Sequence, residues 1–138
     1  MSNVTRFGVS LEDSLLEKFD SLITEKGYKN RSEAIRDLIR NSLVKEEWKT
    51  SKTVIGCLII VYDHHVRKLS EELLNIQHDH YINMLSTLHL HLDHDNCLEI
   101  VAVKGTGKEV KHFADLVIGQ RGVKFGKLTL ATTGKNIN

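Results

Sequence analysis

The sequence predicts an α+β protein built in two parts, a βαα segment followed by a βαββαβ domain. Three observations carry this. Apolar residues alternate with period two at Arg6–Leu11 and again at Leu88–Asp93, as in half-buried strands. Between the alternating runs lie stretches with apolar residues at helical spacing. The polar run KEEWKTSK at 45–52 breaks both patterns, marking a linker between residues 1–47 and 53–131.

In chain order, Phe7, Val9 and Leu11 alternate with Arg6, Gly8 and Ser10 in a strand of about six residues. Asp13 to Lys26 reads as a helix with Leu15, Leu16, Phe19, Leu22 and Ile23 on one stripe and Gly27 as its stop. A second helix begins at Asn30, where Asn30-x-x-Glu33 resembles a capping box, and buries Ala34, Ile35, Leu38, Ile39 and Leu43. So short a segment cannot bury enough apolar surface alone, and its single strand has no partner nearby. The missing strand must come from a second copy of the chain.

Strand, helix, helix in this order resembles the ribbon-helix-helix family of DNA-binding proteins. The resemblance implies a dimeric head whose two-stranded ribbon enters the major groove. Arg6, Gly8 and Ser10 would then face the bases, and the N–H groups near Asn30, Arg31 and Ser32 would hold a backbone phosphate.

After the linker, Val54 to Tyr62 is a buried-type strand and Arg67 to Gln77 a helix with Leu69, Leu73, Leu74 and Ile76 inward. Ile82 to Asp93 and Leu98 to Val103 are strands joined as a hairpin. Lys108 to Ile118 is a helix stopped by Gly122, and Val123 to Leu130 is the final strand. This order is the split βαβ, ferredoxin-like plan. The last eight residues read as a disordered tail.

Residues 77 to 97, QHDHYINMLSTLHLHLDHDNC, hold five of the chain's eight histidines and one of its two cysteines. Leu88, Leu90 and Leu92 alternate with His89, His91 and Asp93, so the two imidazoles share the polar face while the leucines pack into the core. A turn at Asp95 and Asn96 swings Cys97 beside them. Two imidazoles and a thiolate make three ligands, with His78 or His80 as a fourth; zinc, copper and nickel all suit such donors. A cysteine as fourth ligand closes the site and argues against a hydrolytic zinc centre.

Composition bounds the rest. The 138 residues are 41% hydrophobic and 27% charged, as in soluble globular chains. The longest apolar run, VIGCLIIVY, is strand-sized, and no signal peptide is visible. Two cysteines, one in a metal cluster, fit a reducing cytoplasm better than a disulfide framework. Residues 1 to 50 carry nine basic and nine acidic side chains, so any DNA contact must come from local arrangement.

Beyond the head, the runs GYKNRSEAIRDLIR, QHDHYINMLSTLHLHLDHDNCLEI and HFADLVIGQRGV resemble the nickel-responsive transcriptional regulator family, NikR, whose C-terminal domain is ACT-like. The resemblance runs from about Arg6 to Leu130. It implies a non-enzymatic homotetramer, a dimer of dimers, that binds an operator and represses nickel-uptake genes. It implies a planar nickel(II) site of His89, His91, Cys97 and His78 from a neighbouring subunit, with Tyr62 and Glu99 orienting ligands. It further implies a second cation, potassium or another ion, at Glu33 and Asp37, and a DNA-backbone contact from Arg67. The alternative is a regulator of the same build whose ACT-like domain senses an amino acid or another metal.

Overall fold

The structure, a computed structural model, describes residues 3–66, 69–79 and 83–138. Arg67 and His80, singled out above, lie outside them, as do the side chains of Leu73 and Leu74. Two compact units are formed, Met1–Ile39 and Arg40–Asn138.

In the first unit, α1 (Asp13–Glu25) and the start of α2 (Arg31–Trp48) are joined by a turn at Gly27, whose φ of 81° is a left-handed conformation that glycine adopts without strain. Asn30 Oδ1 accepts the Glu33 N–H at 2.9 Å, satisfying one free donor at the start of α2. The Arg31 guanidinium grips the Asp20 carboxylate with two bonds of 2.8 Å, tying α2 to α1. Residues 3–12 run without regular structure, leaving Phe7, Val9 and Leu11 exposed. Val9 and Leu11 line a groove with Leu16, Phe19, Ile35 and Ile39. Ile23 and Ala34 are the buried hydrophobics of this unit among the described residues. A segment so poor in core is half of something larger.

The second unit follows the βαββαβ order: β1 (Thr53–Asp63), α3 (Leu69–Asp79), β2 (Asn83–His91), β3 (Asn96–Thr106), α4 (Gly107–Ile118) and β4 (Val123–Ala131). The sheet is antiparallel in the order β2-β3-β1-β4. Its covered face contributes Val54, Leu58, Ile60 and Tyr62 from β1 and Cys97, Val101 and Val103 from β3. Val110, Phe113, Ala114 and Val117 of α4 and Leu69 of α3 close over them, and Ile76 packs at the margin. A reciprocal Thr106–Glu109 capping box starts α4.

Three expectations are corrected. Leu88, Leu90 and Leu92 are not core residues; they are 53%, 44% and 52% exposed. Alternation reveals which residues share a face but not which face is covered. The register sets Leu90 in a row with Leu98, Val61 and Phe125, and Leu88 with Ile100 and Ile59, on the side away from the buried β1 and β3 residues. The histidines therefore lie on the helix side, at the edge of the sheet.

Residues 45–48 are not linker. Helix α2 continues to Trp48, which is 3% exposed in the core of the second unit. Its Nε1 donates to the carbonyl of Ala131 at 2.9 Å, and Gly107 lies so close to its backbone that no Cβ would fit there. One aromatic ring makes a polar segment part of the core.

The final residues are held rather than loose. Thr132 Oγ1 donates to the Glu47 carboxylate at 3.2 Å, and Arg40 Nε donates to the carbonyl of Asn138 at 2.9 Å.

Candidate metal centre

Strand pairing builds the site. In the β2–β3 ladder His91 stands opposite Cys97 and His89 opposite Glu99, and in the β1–β3 ladder Tyr62 stands opposite Cys97. Three sequence-distant segments thus converge at one end of the sheet.

The loop between β2 and β3 fixes Cys97. The Asp93 carboxylate accepts the N–H groups of Asp95 and Asn96 at 2.9 and 2.8 Å, and the Asn96 side-chain amide at 3.0 Å. The Asn96 amide, then the two backbone donors, hold its pKa down to about 2. Lys124 Nζ donates to Asn96 Oδ1 at 2.6 Å, anchoring the loop to β4.

Cys97 Sγ lies 3.3 Å from His91 Nδ1 and 3.6 Å from His64 Nδ1. Burial, and then the charges of Asp93 and Glu99, push the Cys97 thiol up, so the free site holds a protonated thiol. A metal must displace that proton to gain the thiolate. His89 packs edge-on to Tyr62 with its Nδ1 3.4 Å from the phenol oxygen, and its ring centroid is 5.2 Å from that of His91. The Tyr62 hydroxyl donates to Glu99 Oε2 at 3.3 Å. Burial, reinforced by the Glu99 charge, pushes the Tyr62 pKa up and keeps it a donor.

Of the residues expected at this site, the single chain brings together His89, His91, Cys97, Tyr62 and Glu99. His78 is exposed in the last turn of α3 and stands outside the group. Among the described residues, the donors within 4.8 Å of one another that include the thiol are those of His64, His91 and Cys97. Sequence reasoning left His64 unassigned. No spacing pointed to it, because only the β1–β3 pairing brings the residues after Asp63 beside Cys97. The donor set of soft sulfur and borderline nitrogen fits nickel, zinc or copper.

In the first unit, Arg6, Gly8 and Ser10 lie exposed in the segment without regular structure. Asn30, Arg31 and Ser32 stand at the start of α2, where the Arg31 side chain is committed to Asp20. Asp37 Oδ2 accepts a 2.8 Å bond from the Tyr28 hydroxyl, which raises the Tyr28 pKa. Glu33 is exposed one turn away.

Two helices behind an irregular N-terminal segment, ahead of a βαββαβ domain with thiol and imidazoles at one sheet edge, point to a class, the ribbon-helix-helix proteins that carry an ACT-like domain. Residues 5–46 match the family described as "Ribbon-helix-helix protein, copG family", and residues 55–131 match "NikR C terminal nickel binding domain". A relative in Geobacter sulfurreducens, named "Putative nickel-responsive regulator", is 52% identical over the full length of both chains. One of the same name in Solidesulfovibrio magneticus is 54% identical over 99% of each chain. The ACT domain of GTP pyrophosphokinase from Chlorobium tepidum superimposes with a TM-score of 0.51 at 9% identity, covering 56% of this chain and all of that one. The chain belongs to the nickel-responsive regulator family.

Proposed function

We propose that the chain is a nickel-responsive transcriptional repressor of nickel-uptake genes, acting in the cytoplasm on double-stranded operator DNA. The observation that carries this is the Cys97 thiol held 3.3 Å from His91 Nδ1 at a sheet edge. Sulfur and imidazole there supply most of a ligand set suited to planar nickel(II). His89, His91 and Cys97 come from one chain, and His78 is supplied by another copy. Tyr62 and Glu99 hold the ligands in place. Bound there, the metal would be held by the deprotonated Cys97 thiolate with His89 and His91 of one chain and His78 of another copy, linking two subunits. No helix among the described residues is long and apolar enough to cross a membrane.

Two surfaces support a homotetramer built as a dimer of dimers. The segment 3–12 leaves its apolar residues exposed, which suits pairing of two ribbons. The sheet's open face presents Leu88, Leu90 and Phe125 to solvent, which suits burial between second units. In the paired ribbon Arg6, Gly8 and Ser10 face the bases, while the N–H groups at Asn30, Arg31 and Ser32, together with Arg67, meet phosphates. Glu33 and Asp37 take potassium or another cation. Nickel promotes operator binding only by as much as its affinity differs between the DNA-competent state and the others, so operator DNA must tighten nickel equally.

The test is an absorption titration of metal-free protein with nickel(II), followed by operator binding with and without the metal. A thiolate charge-transfer band with the ligand-field bands of a planar centre, and tighter operator binding in nickel, are expected. Octahedral bands alone, or DNA binding indifferent to nickel, would overturn the reading. Arg6→Ala should lose about 1–3 kcal/mol on the operator and leave nickel affinity unchanged.

A further inference from the structure

We propose that residues 132–138 form a strap that holds α2 from Arg40 to Trp48 against the second unit, and that the effect of nickel on operator binding depends on this hold. Helix α2 belongs to both units, its residues up to Ile39 to the first and those from Arg40 onward to the second. Its second half is therefore the stretch whose order matters to both.

The end of α2 has little local reason to stay helical. Glu46 and Glu47 lie in its last turn, where unpaired carbonyls make the helix end negative and carboxylates are repelled. Glu47 is only 6% exposed, so its charge also loses most of its water. Lys45 is the single basic residue of that turn. The compensating contacts come from the far end of the chain. Trp48 Nε1 donates to the carbonyl of Ala131, the last residue of β4, and Thr132 follows at once with its hydroxyl on the Glu47 carboxylate.

From there the strap runs back along the helix. Thr132 Oγ1 is 3.3 and 3.2 Å from the two Glu47 carboxylate oxygens and accepts the Gly134 N–H at 3.1 Å, so one hydroxyl binds both the helix and the turn that follows. Gly134, with a φ of 79°, supplies the left-handed residue of that turn, and the Ile137 N–H closes it on the Gly134 carbonyl at 3.4 Å. The Asn138 carbonyl then accepts the Arg40 Nε–H at 2.9 Å. Arg40 and Glu47 are about 10 Å apart along the helix axis at 1.5 Å per residue. Val44 and Trp48 pack against the core, whereas the strap reaches one turn further along α2. A helix held only at its end can fray and pivot, and a local opening of that kind absorbs a change in one unit before it reaches the other. The role in the nickel response rests on the reading that the chain is a nickel-dependent DNA-binding protein; the strap itself does not.

The test uses the full-length protein and two variants, the double replacement Thr132→Val with Arg40→Met, and Thr132→Ser, which keeps the hydroxyl. In the metal-free double variant, amides of residues 40–48 should exchange with deuterium several-fold faster than in the parent, with those of β1 and β3 unchanged. The Thr132→Ser protein should exchange like the parent. With nickel(II) and an operator duplex, the double variant should bind nickel as the parent does, while the gain in operator affinity on adding nickel falls several-fold. Unchanged exchange at 40–48 in the double variant overturns the strap, as does equal fraying in Thr132→Ser or faster exchange throughout the sheet. Local fraying with the full nickel gain overturns its role in coupling. A parent protein whose operator binding ignores nickel, with fraying confined to 40–48 in the double variant, retires the nickel-response reading and upholds the strap.

Discussion

Cys97 Sγ and His91 Nδ1 are 3.3 Å apart although six residues separate them, because the two residues face each other across the β2–β3 ladder. The pair is a product of strand register, so losing the sulfur should spare the fold. Cys97→Ser should weaken nickel binding by more than a hundredfold, about 2.7 kcal/mol or more, with the mass of the assembly unchanged. A dialysis titration and sedimentation velocity check both halves.

Gly107 abuts the backbone of Trp48, and a Cβ there would meet the Trp48 carbonyl. Gly107→Ala should cost about 1–3 kcal/mol by forcing α4 and the end of α2 apart. Trp48 is the chain's single tryptophan, so its emission reports the change directly. A red shift is expected, and unshifted emission with an unchanged denaturation midpoint would contradict the packing.

Asp93 titrates at about 2 in the folded chain, below the ordinary carboxylate value. Its folded pKa is depressed, so its contribution to holding the β2–β3 loop is complete above about pH 4 and lost as pH falls toward 2. The Asp95 and Asn96 amide resonances should therefore shift with a midpoint near pH 2. A midpoint near 4 would mean that the carboxylate does not accept those N–H groups.

Leu90 and Phe125 are 44% and 54% exposed on the open face of the sheet. Leu90→Glu should dissociate the assembly into smaller units while changing the stability of the isolated chain by only about 0.5 kcal/mol. Light scattering would show the fall in mass. An unchanged mass would place the subunit contact elsewhere.

Most elements were legible because alternation and helical spacing reflect backbone geometry. His89 and His91 were correctly paired on one face, yet Leu88 and Leu90 were assigned to the core, since periodicity carries no information about where the helices pack. Trp48 hid inside a polar run, and its burial depends on Gly107, far away in sequence. His64 was invisible for the same reason, its neighbour Cys97 being 33 residues on. The tail was misjudged because the Thr132 and Glu47 side chains that join it to α2 are 85 residues apart.

The same separations set an order of assembly. His91 and Cys97 sit on one hairpin, a unit that forms in roughly 1–10 μs. Bringing His64 to Cys97 closes a loop of 33 residues rather than 6, which costs about 1.5 kcal/mol more in chain entropy. A newly made chain can thus pair its thiol with one imidazole long before β1 is in place. The approach of His64 to Cys97 then marks the completed sheet, whereas His89, His91 and Cys97 already share the hairpin.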